Sequence, residues 1–152
     1  MKYAASTQVP IERSRGEIEK VLARYGAAKF AYFSEENRAC IVFEIGGKRI
    51  RFLLVLPQKG DFRLTPERLR HRSEKKAAEV WEQACRQAWR SLSLIIKAKL
   101  EWVESKQVTI EEEFLSNIIL ATGKTVAETL IPDLNQIYAT GQMPRLLSES
   151  FD

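Results

Sequence analysis

The residues best able to do chemistry in this sequence are the arginines and lysines of its middle segment, residues 48–76. This segment contains ten basic and three acidic residues, whereas residues 109–152 contain two basic and seven acidic residues. A concentrated group of cations can neutralise phosphates and release their counterions. The charge pattern therefore favours binding of a nucleic acid or another polyanion. Two alternatives stay open: the segment pairs with the acidic end of the same or a neighbouring chain, or it forms a solvated surface.

The candidate anion-binding residues come from a predicted sheet, a predicted loop and a long predicted helix. They are Arg49, Arg51, Arg63, Arg68, Arg70, His71, Arg72, Lys75, Lys76, Arg86 and Arg90. In the helix, Trp81 and Trp89 stand eight residues apart beside two of these arginines. This arrangement would suit stacking on a single-stranded nucleic acid, although aromatic residues at this spacing are also typical of a buried helix face.

Residue groupings typical of enzymes are scarce. His71 is the only histidine, and its position between two arginines favours a surface or phosphate contact over catalysis. There is no phosphate-binding loop, serine-hydrolase or dinucleotide-binding motif. Cys40 and Cys85 are too few for a four-cysteine zinc site. We therefore predict a protein that is not an enzyme, with no catalytic residue, no metal site and no cofactor.

Lys99 is unusual because it lies inside the apolar sector of the long predicted helix. A buried ammonium group must find a partner or lose its proton. The acidic residues 111–113 of the following predicted helix are natural partners. The alternative is that the aliphatic part of the side chain packs while the ammonium group reaches water.

The fold predicted to position these residues is α+β. It consists of a small antiparallel sheet of three or four strands with one short N-terminal helix, followed by a long helix and two shorter C-terminal helices. All 152 residues form one domain, in which residues 1–57 hold the sheet and first helix, 58–73 a basic loop and 74–152 the helical part. Gly46 and Gly47 separate two β-branched runs and predict a two-residue hairpin, in which Ile45 faces Lys48.

Further signals mark the ends of the predicted elements. Residues 3–9 are predicted as a short edge strand that ends at Pro10. A Ser/Thr followed three residues later by Glu marks a helix start at three places, namely Ser14, Thr109 and Thr125. The second of these helices is expected to continue to Gly123. The third must kink or restart at Pro132.

The predicted hairpin has one apolar face and one mixed face. The mixed face carries Cys40, Val42, Glu44, Arg49, Arg51, Leu53 and Val55. Such a mixture is more typical of a covered or binding surface than of a bare one. Together with the apolar stripe of the long helix, it is compatible with a homo-oligomer.

The sequence also favours a location in the cytoplasm. Lysines interrupt the longest apolar stretch, residues 92–100, which is shorter than the roughly 18 residues that span a bilayer. Residues 1–10 have no apolar core typical of a secretory signal. We therefore expect no membrane partner.

Several short motifs together resemble a family of small bacteriophage and prophage proteins of uncharacterised function. The motifs lie at residues 9–10, 24–27, 50–52, 81–90, 96–101, 112–115 and 138–141. The resemblance implies a mobile-element accessory protein that acts in the cytoplasm of the bacterial host. It implies no catalytic residues.

Two functions follow from the charge pattern and this resemblance. The first is a non-enzymatic accessory protein that binds nucleic acid through a basic sheet-and-loop surface. The alternative is an inhibitor of a host defence system that binds a host protein or sequesters a nucleotide signal.

Overall fold

Helices cover one face of a three-stranded antiparallel sheet in the computed structural model, which describes residues 4–67 and 70–143. Each strand pairs with its neighbour along the chain. The strands are β1 (Ala28–Glu35), β2 (Arg38–Ile45) and β3 (Lys48–Val55). The helices are α1 (Ile11–Arg24), α2 (Glu74–Glu104), α3 (Ile110–Phe114) and α4 (Val126–Thr140), with 3-10 turns at Lys59–Phe62 and Leu115–Asn117. The predicted α+β fold, with a short first helix, a long second helix and two shorter C-terminal helices, is confirmed.

The β2–β3 hairpin forms as its glycine turn predicts. Gly46 and Gly47 adopt φ values of 56° and 72°, the left-handed conformation that a type I′ turn requires at both central positions. Ile45 pairs with Lys48, and the predicted register continues along both strands. Because side chains alternate across a strand, this register places one apolar row on the inner face.

Alanine at Gly46 is expected to be more destabilising than alanine at Gly47. A Cβ atom at Gly46 would lie 3.0 Å from Cδ1 of Ile110, whereas a Cβ atom at Gly47 would have no neighbour within 4 Å. Both substitutions strain a left-handed residue, which costs about 1 kcal/mol, but only Gly46→Ala also crowds a packed side chain. We expect losses of about 2 and about 1 kcal/mol in the free energy of urea-induced unfolding. Equal losses would contradict the contact with Ile110.

The hydrophobic core lies between the inner face of the sheet and helices α1, α2 and α3. Three rings meet there: Phe43 and Phe52 are stacked with centroids 6.3 Å apart, and Phe114 contacts both edge-on at 6.1 and 6.2 Å. Trp89 of α2 is 1% exposed and contacts the ring of Tyr32. The other large buried residues are Ile18, Leu22, Ile41, Ile50, Ile96 and Leu100.

The N-terminal elements differ from the prediction. Helix α1 begins at Ile11 with Pro10 as its N-cap, so Ser14 lies within the helix and does not cap it. Ile11 packs against the core, which extends the helix beyond the local capping signal. The predicted edge strand over residues 3–9 is wrong for residues 4–9, which form no strand; Tyr3 lies outside the described residues. The side-chain amide of Gln83 donates to the carbonyl oxygens of Ala5 and Thr7, so these oxygens do not bond a neighbouring strand.

The chain after α3 also differs from the prediction of a helix that continues to Gly123. Helix α3 ends at Phe114, and the chain then runs beside the edge of β3. Ile118 forms an antiparallel bridge with Ile50, and the amide of Ile119 donates to the carbonyl of Arg49 at 2.8 Å. The side-chain amide of Asn117 donates to the carbonyl of Arg51 at 3.0 Å. Pairing with the strand edge therefore replaces the last turns of the predicted helix.

Both C-terminal helix starts are confirmed as capping boxes, at Thr109 with Glu112 and at Thr125 with Glu128. Helix α4 runs continuously through Pro132, which lacks the amide that would bond one turn back. The helix neither breaks nor restarts there. Within the described parts of the chain, no helix combines the length and apolar character that a membrane crossing requires.

A candidate anion-binding cleft

A large cleft lies where the basic loop meets the start of α2. It has a volume of about 990 Å³. The β1–β2 turn forms one side, the Lys59–Phe62 turn another, and the first two turns of α2 a third. The lining residues are Glu36, Asn37, Gln58, Lys59, Gly60, Arg63, His71, Arg72, Glu74, Ala77 and Trp81.

The loop beside the cleft folds back on itself. The amide of Thr65 donates to the carbonyl of Arg70 at 3.0 Å, and the amide of Arg72 donates to the carbonyl of Arg63 at 2.8 Å. Leu64 and His71 form the antiparallel bridge between them. This pairing holds Arg63, Arg70 and His71 close together, and all three are exposed.

Arg72 holds the loop together and does not extend into solvent. Its guanidinium group donates to the carbonyl oxygens of Phe62 and Leu64, at 3.0 and 2.5 Å. Arg72 is half-buried, and carbonyl acceptors do not cancel its charge. Its positive charge therefore remains in the wall of the cleft, although two of its donor positions are occupied.

Two further contacts fix the other walls. The indole Nε1 of Trp81 donates to the carbonyl of Pro57 at 2.8 Å and ties the end of β3 to α2. The hydroxyl of Ser73 accepts from the amide of Lys76 at 3.2 Å and caps α2. Since the polar atom of Trp81 is already bonded, this half-buried side chain offers only its ring to the cleft.

The structure separates the two tryptophans that the sequence grouped together. Trp89 is buried in the core, whereas Trp81 lines the cleft. The arginines beside them, Arg86 and Arg90, face other protein groups. Arg86 donates to the side-chain oxygen of Gln83 at 2.7 and 3.0 Å, and Arg90 donates to the carboxylate of Glu17 on α1.

The predicted anion-binding residues therefore do not form one surface. Arg51 bonds the carboxylate of Glu128 and the carbonyl of Gly123, and Lys76 pairs with Glu79 at 3.2 Å. Arg49 is exposed but lies on the sheet. Of these predicted residues, Arg63, His71 and Arg72 line the cleft, while Arg70 and Lys75 are exposed residues adjacent in sequence to the lining residues His71 and Glu74. Arg68 lies outside the described residues.

Lys59 is a cleft residue that the sequence reasoning missed. It precedes Gly60 in the short 3-10 turn and is exposed. Among the described residues, no carboxylate forms an ion pair with Lys59, Arg63, Arg70 or Lys75. The high density of basic residues in the segment 48–76 could have identified Lys59 as a candidate anion-binding residue. Glu36 and Glu74 moderate the positive charge of the lining.

Two of the ion pairs away from the cleft shift the pKa of their carboxylates. Burial raises the pKa of Glu17, but the hydrogen bond and charge of Arg90, assisted by Arg13, outweigh it and hold the pKa below its usual range. The amide of Thr125 and the charge of Arg51 likewise lower the pKa of Glu128. Both carboxylates are therefore charged at neutral pH, so the two arginines are neutralised within the protein.

The cysteines have no environment that would activate them. Burial raises the pKa of both the Cys40 and the Cys85 thiol, which keeps them protonated at neutral pH. Across residues 4–67 and 70–143, no group of three or more His, Cys, Asp or Glu side chains is placed to hold a metal ion.

Comparison of the chain with models of known protein families, with curated proteins and with solved structures gave no match.

Proposed function

We propose that this chain is a non-enzymatic accessory protein that binds single-stranded nucleic acid at the cleft between the basic loop and α2. The observation that carries the proposal is the gathering of cations without carboxylate partners around one concave site. Lys59 and Arg63 line the cleft, and Arg70 and Lys75 are exposed residues adjacent in sequence to the lining residues His71 and Glu74. These four groups would contact successive phosphates.

The other lining groups favour a single strand over a duplex. The ring of Trp81 provides a surface on which an unpaired base can stack. The side-chain amides of Asn37 and Gln58 also line the cleft, and amides can bond the edges of exposed bases. In a duplex the base faces are covered by their neighbours, so the ring would have nothing to stack on.

The same geometry supports the second candidate function, sequestration of a nucleotide signal. The cleft is concave and combines one aromatic ring with basic groups, which would also suit a single nucleotide. An origin in a bacteriophage or prophage, inferred from the sequence motifs, belongs to the proposal for both functions. Competition by mononucleotides against a labelled oligonucleotide separates the two, because a strand contacts more of the cations than a mononucleotide does.

The proposal predicts strongly salt-dependent binding of labelled single-stranded DNA or RNA, measured by fluorescence anisotropy. Four phosphate contacts correspond to a loss of roughly 50-fold in affinity between about 50 and 200 mM salt. Arg63→Glu combined with Arg70→Glu is expected to weaken binding at least tenfold. A duplex of the same sequence is expected to bind more weakly than the single strand.

The matched control is Lys20→Glu combined with Arg24→Glu, two exposed residues of α1. This variant changes the net charge equally but at a distance from the cleft, so we expect an affinity within about threefold of the wild type. The proposal fails if no oligonucleotide binds at the lower salt concentration. It also fails if both variants weaken binding equally, because the affinity would then depend on net charge and not on the cleft.

A further inference from the structure

Among the residues that the structure describes, helix α4 leaves most of its apolar surface without a partner. Only Val126, in its first turn, is buried, and its main neighbour is the short Leu115–Asn117 turn. Ile131, Leu134 and Tyr138 are 52%, 43% and 90% exposed. They stand three and seven residues apart and therefore lie on one face of the helix. A 15-residue helix gains most of its stability from packing, so this face requires a cover.

The outer face of the sheet is the second uncovered apolar surface. Phe33, Cys40 and Leu53 face one another across the three strands. Phe33 and Leu53 are 62% and 56% exposed, and Val55 beside them is 73% exposed. This is part of the mixed face that the sequence predicts to be covered. In the described part of the chain, Glu128 of α4 and the carbonyl of Gly123 reach this surface, both through Arg51.

We infer that the chain forms a two-fold symmetric dimer in which α4 of each copy covers the outer sheet face of the other. The capping box at Thr125 and the Arg51–Glu128 ion pair fix the start of α4 at the edge of its own sheet. The apolar face of α4 and the outer sheet face nevertheless both remain exposed among the described residues of one chain. In a two-fold symmetric dimer, α4 of each copy covers the outer sheet face of the other copy, so that both apolar surfaces of both copies are buried.

Charge and area both favour a second copy as the partner. Helix α4 contains no Lys or Arg, and its Asp133 has no ion-pair partner among the described residues; Arg49 on the outer sheet face likewise has none, whereas Arg38 and Arg51 pair with Glu35 and Glu128 of the same chain. An aromatic side chain buries roughly 150–250 Å² and an aliphatic one less, so the six partly exposed apolar residues offer on the order of 600 Å² per copy. This approaches the roughly 800 Å² that each partner contributes to a standard interface.

The first test is the mass of the wild-type chain, measured by size-exclusion chromatography with light scattering. We expect twice the chain mass of 17.5 kDa at micromolar concentrations. Leu53→Glu on the sheet, or Tyr138→Glu on α4, is expected to give the monomer mass with unchanged helical circular dichroism. A wild-type protein that stays monomeric overturns the inference, whether α4 folds back onto its own sheet or waits for a different partner.

The second test distinguishes helix-on-sheet packing from any other dimer. A chain with Leu53→Glu keeps the apolar face of α4 intact, and a chain with Tyr138→Glu keeps the outer sheet face intact. Mixed in equal amounts, the two monomeric variants are expected to form a heterodimer with one intact contact. If the mixture stays monomeric although the wild type is dimeric, then sheet-on-sheet or helix-on-helix packing holds the dimer and the inference is wrong.

The control is Ile95→Glu combined with Trp102→Glu on α2, where both residues are about half-exposed but lie outside the two surfaces. This variant is expected to stay dimeric, and a monomer would assign the interface to α2 instead. Cys40 gives an independent readout because it lies in the covered surface, whereas Cys85 is buried. Alkylation of Cys40 is expected to be slow in the dimer and at least tenfold faster in the monomeric variants. Equal rates would contradict the placement.

Discussion

Replacing Trp89 by alanine is expected to lower the free energy of unfolding by about 3–5 kcal/mol. Trp89 is 1% exposed, in the half of α2 that packs on the sheet and α1. Its ring lies 5.5 Å from that of Tyr32, and the guanidinium group of Arg15 lies 3.7 Å from the Tyr32 ring and 5.9 Å from the Trp89 ring. Alanine would leave a cavity between these groups and remove the tilted ring–ring contact with Tyr32. Urea denaturation followed by circular dichroism measures the loss.

Trp102→Ala is the matched control, because it changes the same residue type on the same helix. Trp102 is 49% exposed, and substitutions at exposed positions usually change stability by less than about 0.5 kcal/mol. We allow about 1 kcal/mol because half of the ring is covered. Similar losses in the two variants would mean that the described core does not have Trp89 at its centre.

Removing the carboxylate of Glu113 is expected to cost about 2–3 kcal/mol, because it leaves a partly buried ammonium group underbonded. Lys99 Nζ donates to the Glu113 carboxylate at 2.8 Å and to its backbone carbonyl at 2.9 Å. The side chains are 25% and 21% exposed, and Nζ lies 5.5 Å from the centroid of the Phe114 ring. In Glu113→Ala the carbonyl and the ring remain, but the countercharge is lost. Equilibrium unfolding in urea measures the change.

Two comparisons make this prediction specific. Glu101→Ala breaks the exposed Lys97–Glu101 pair of the same helix, which spans 3.9 Å, and is expected to cost less than about 0.5 kcal/mol. Lys99→Met combined with Glu113→Gln removes both charges while keeping similar volumes. This double variant is expected to be more stable than Glu113→Ala. The prediction is wrong if Glu113→Ala and Glu101→Ala have the same effect.

Local sequence signals predicted the elements well where the hydrogen-bond partners of the backbone are close in sequence. The Gly46–Gly47 turn and the capping boxes at Thr109 and Thr125 depend on residues within a few positions of one another, and all three formed as predicted. The identical spacing at Ser14 failed because a nonlocal contact, the packing of Ile11 against the core, extends the helix past it.

The surfaces of α2 show the same limit. The predicted apolar sector is correct for Trp89 and Ile96, but Ile95 is 50% exposed, because no described element covers that side of the helix. Arg86 and Arg90 of this helix were predicted to bind an anion, yet α1 packs beside α2 and Glu17 neutralises Arg90. Amphipathic periodicity identifies the polar and apolar faces of a helix, but it does not show which neighbouring element covers each face.

The candidate site was predicted only in part, because distant carboxylates decide which cations remain available. Arg51 is neutralised by Glu128 from 77 residues away, and Arg90 by Glu17 from 73 residues away. No spacing rule connects such pairs. By contrast, Arg63, Arg70 and His71 are brought together by a short loop that pairs with itself, and the density of basic residues pointed to this region.

The strip of chain that runs beside β3 also has a consequence for synthesis. The side-chain amide of Asn117 bonds the carbonyl of Arg51, 66 residues earlier in the chain. The ribosome therefore completes the β2–β3 hairpin long before it makes the segment that covers the free edge of β3. Until then the nascent chain displays unpaired main-chain amides and carbonyls, which can recruit strands from neighbouring polypeptides. Slowing translation between the two segments should therefore increase the insoluble fraction during expression.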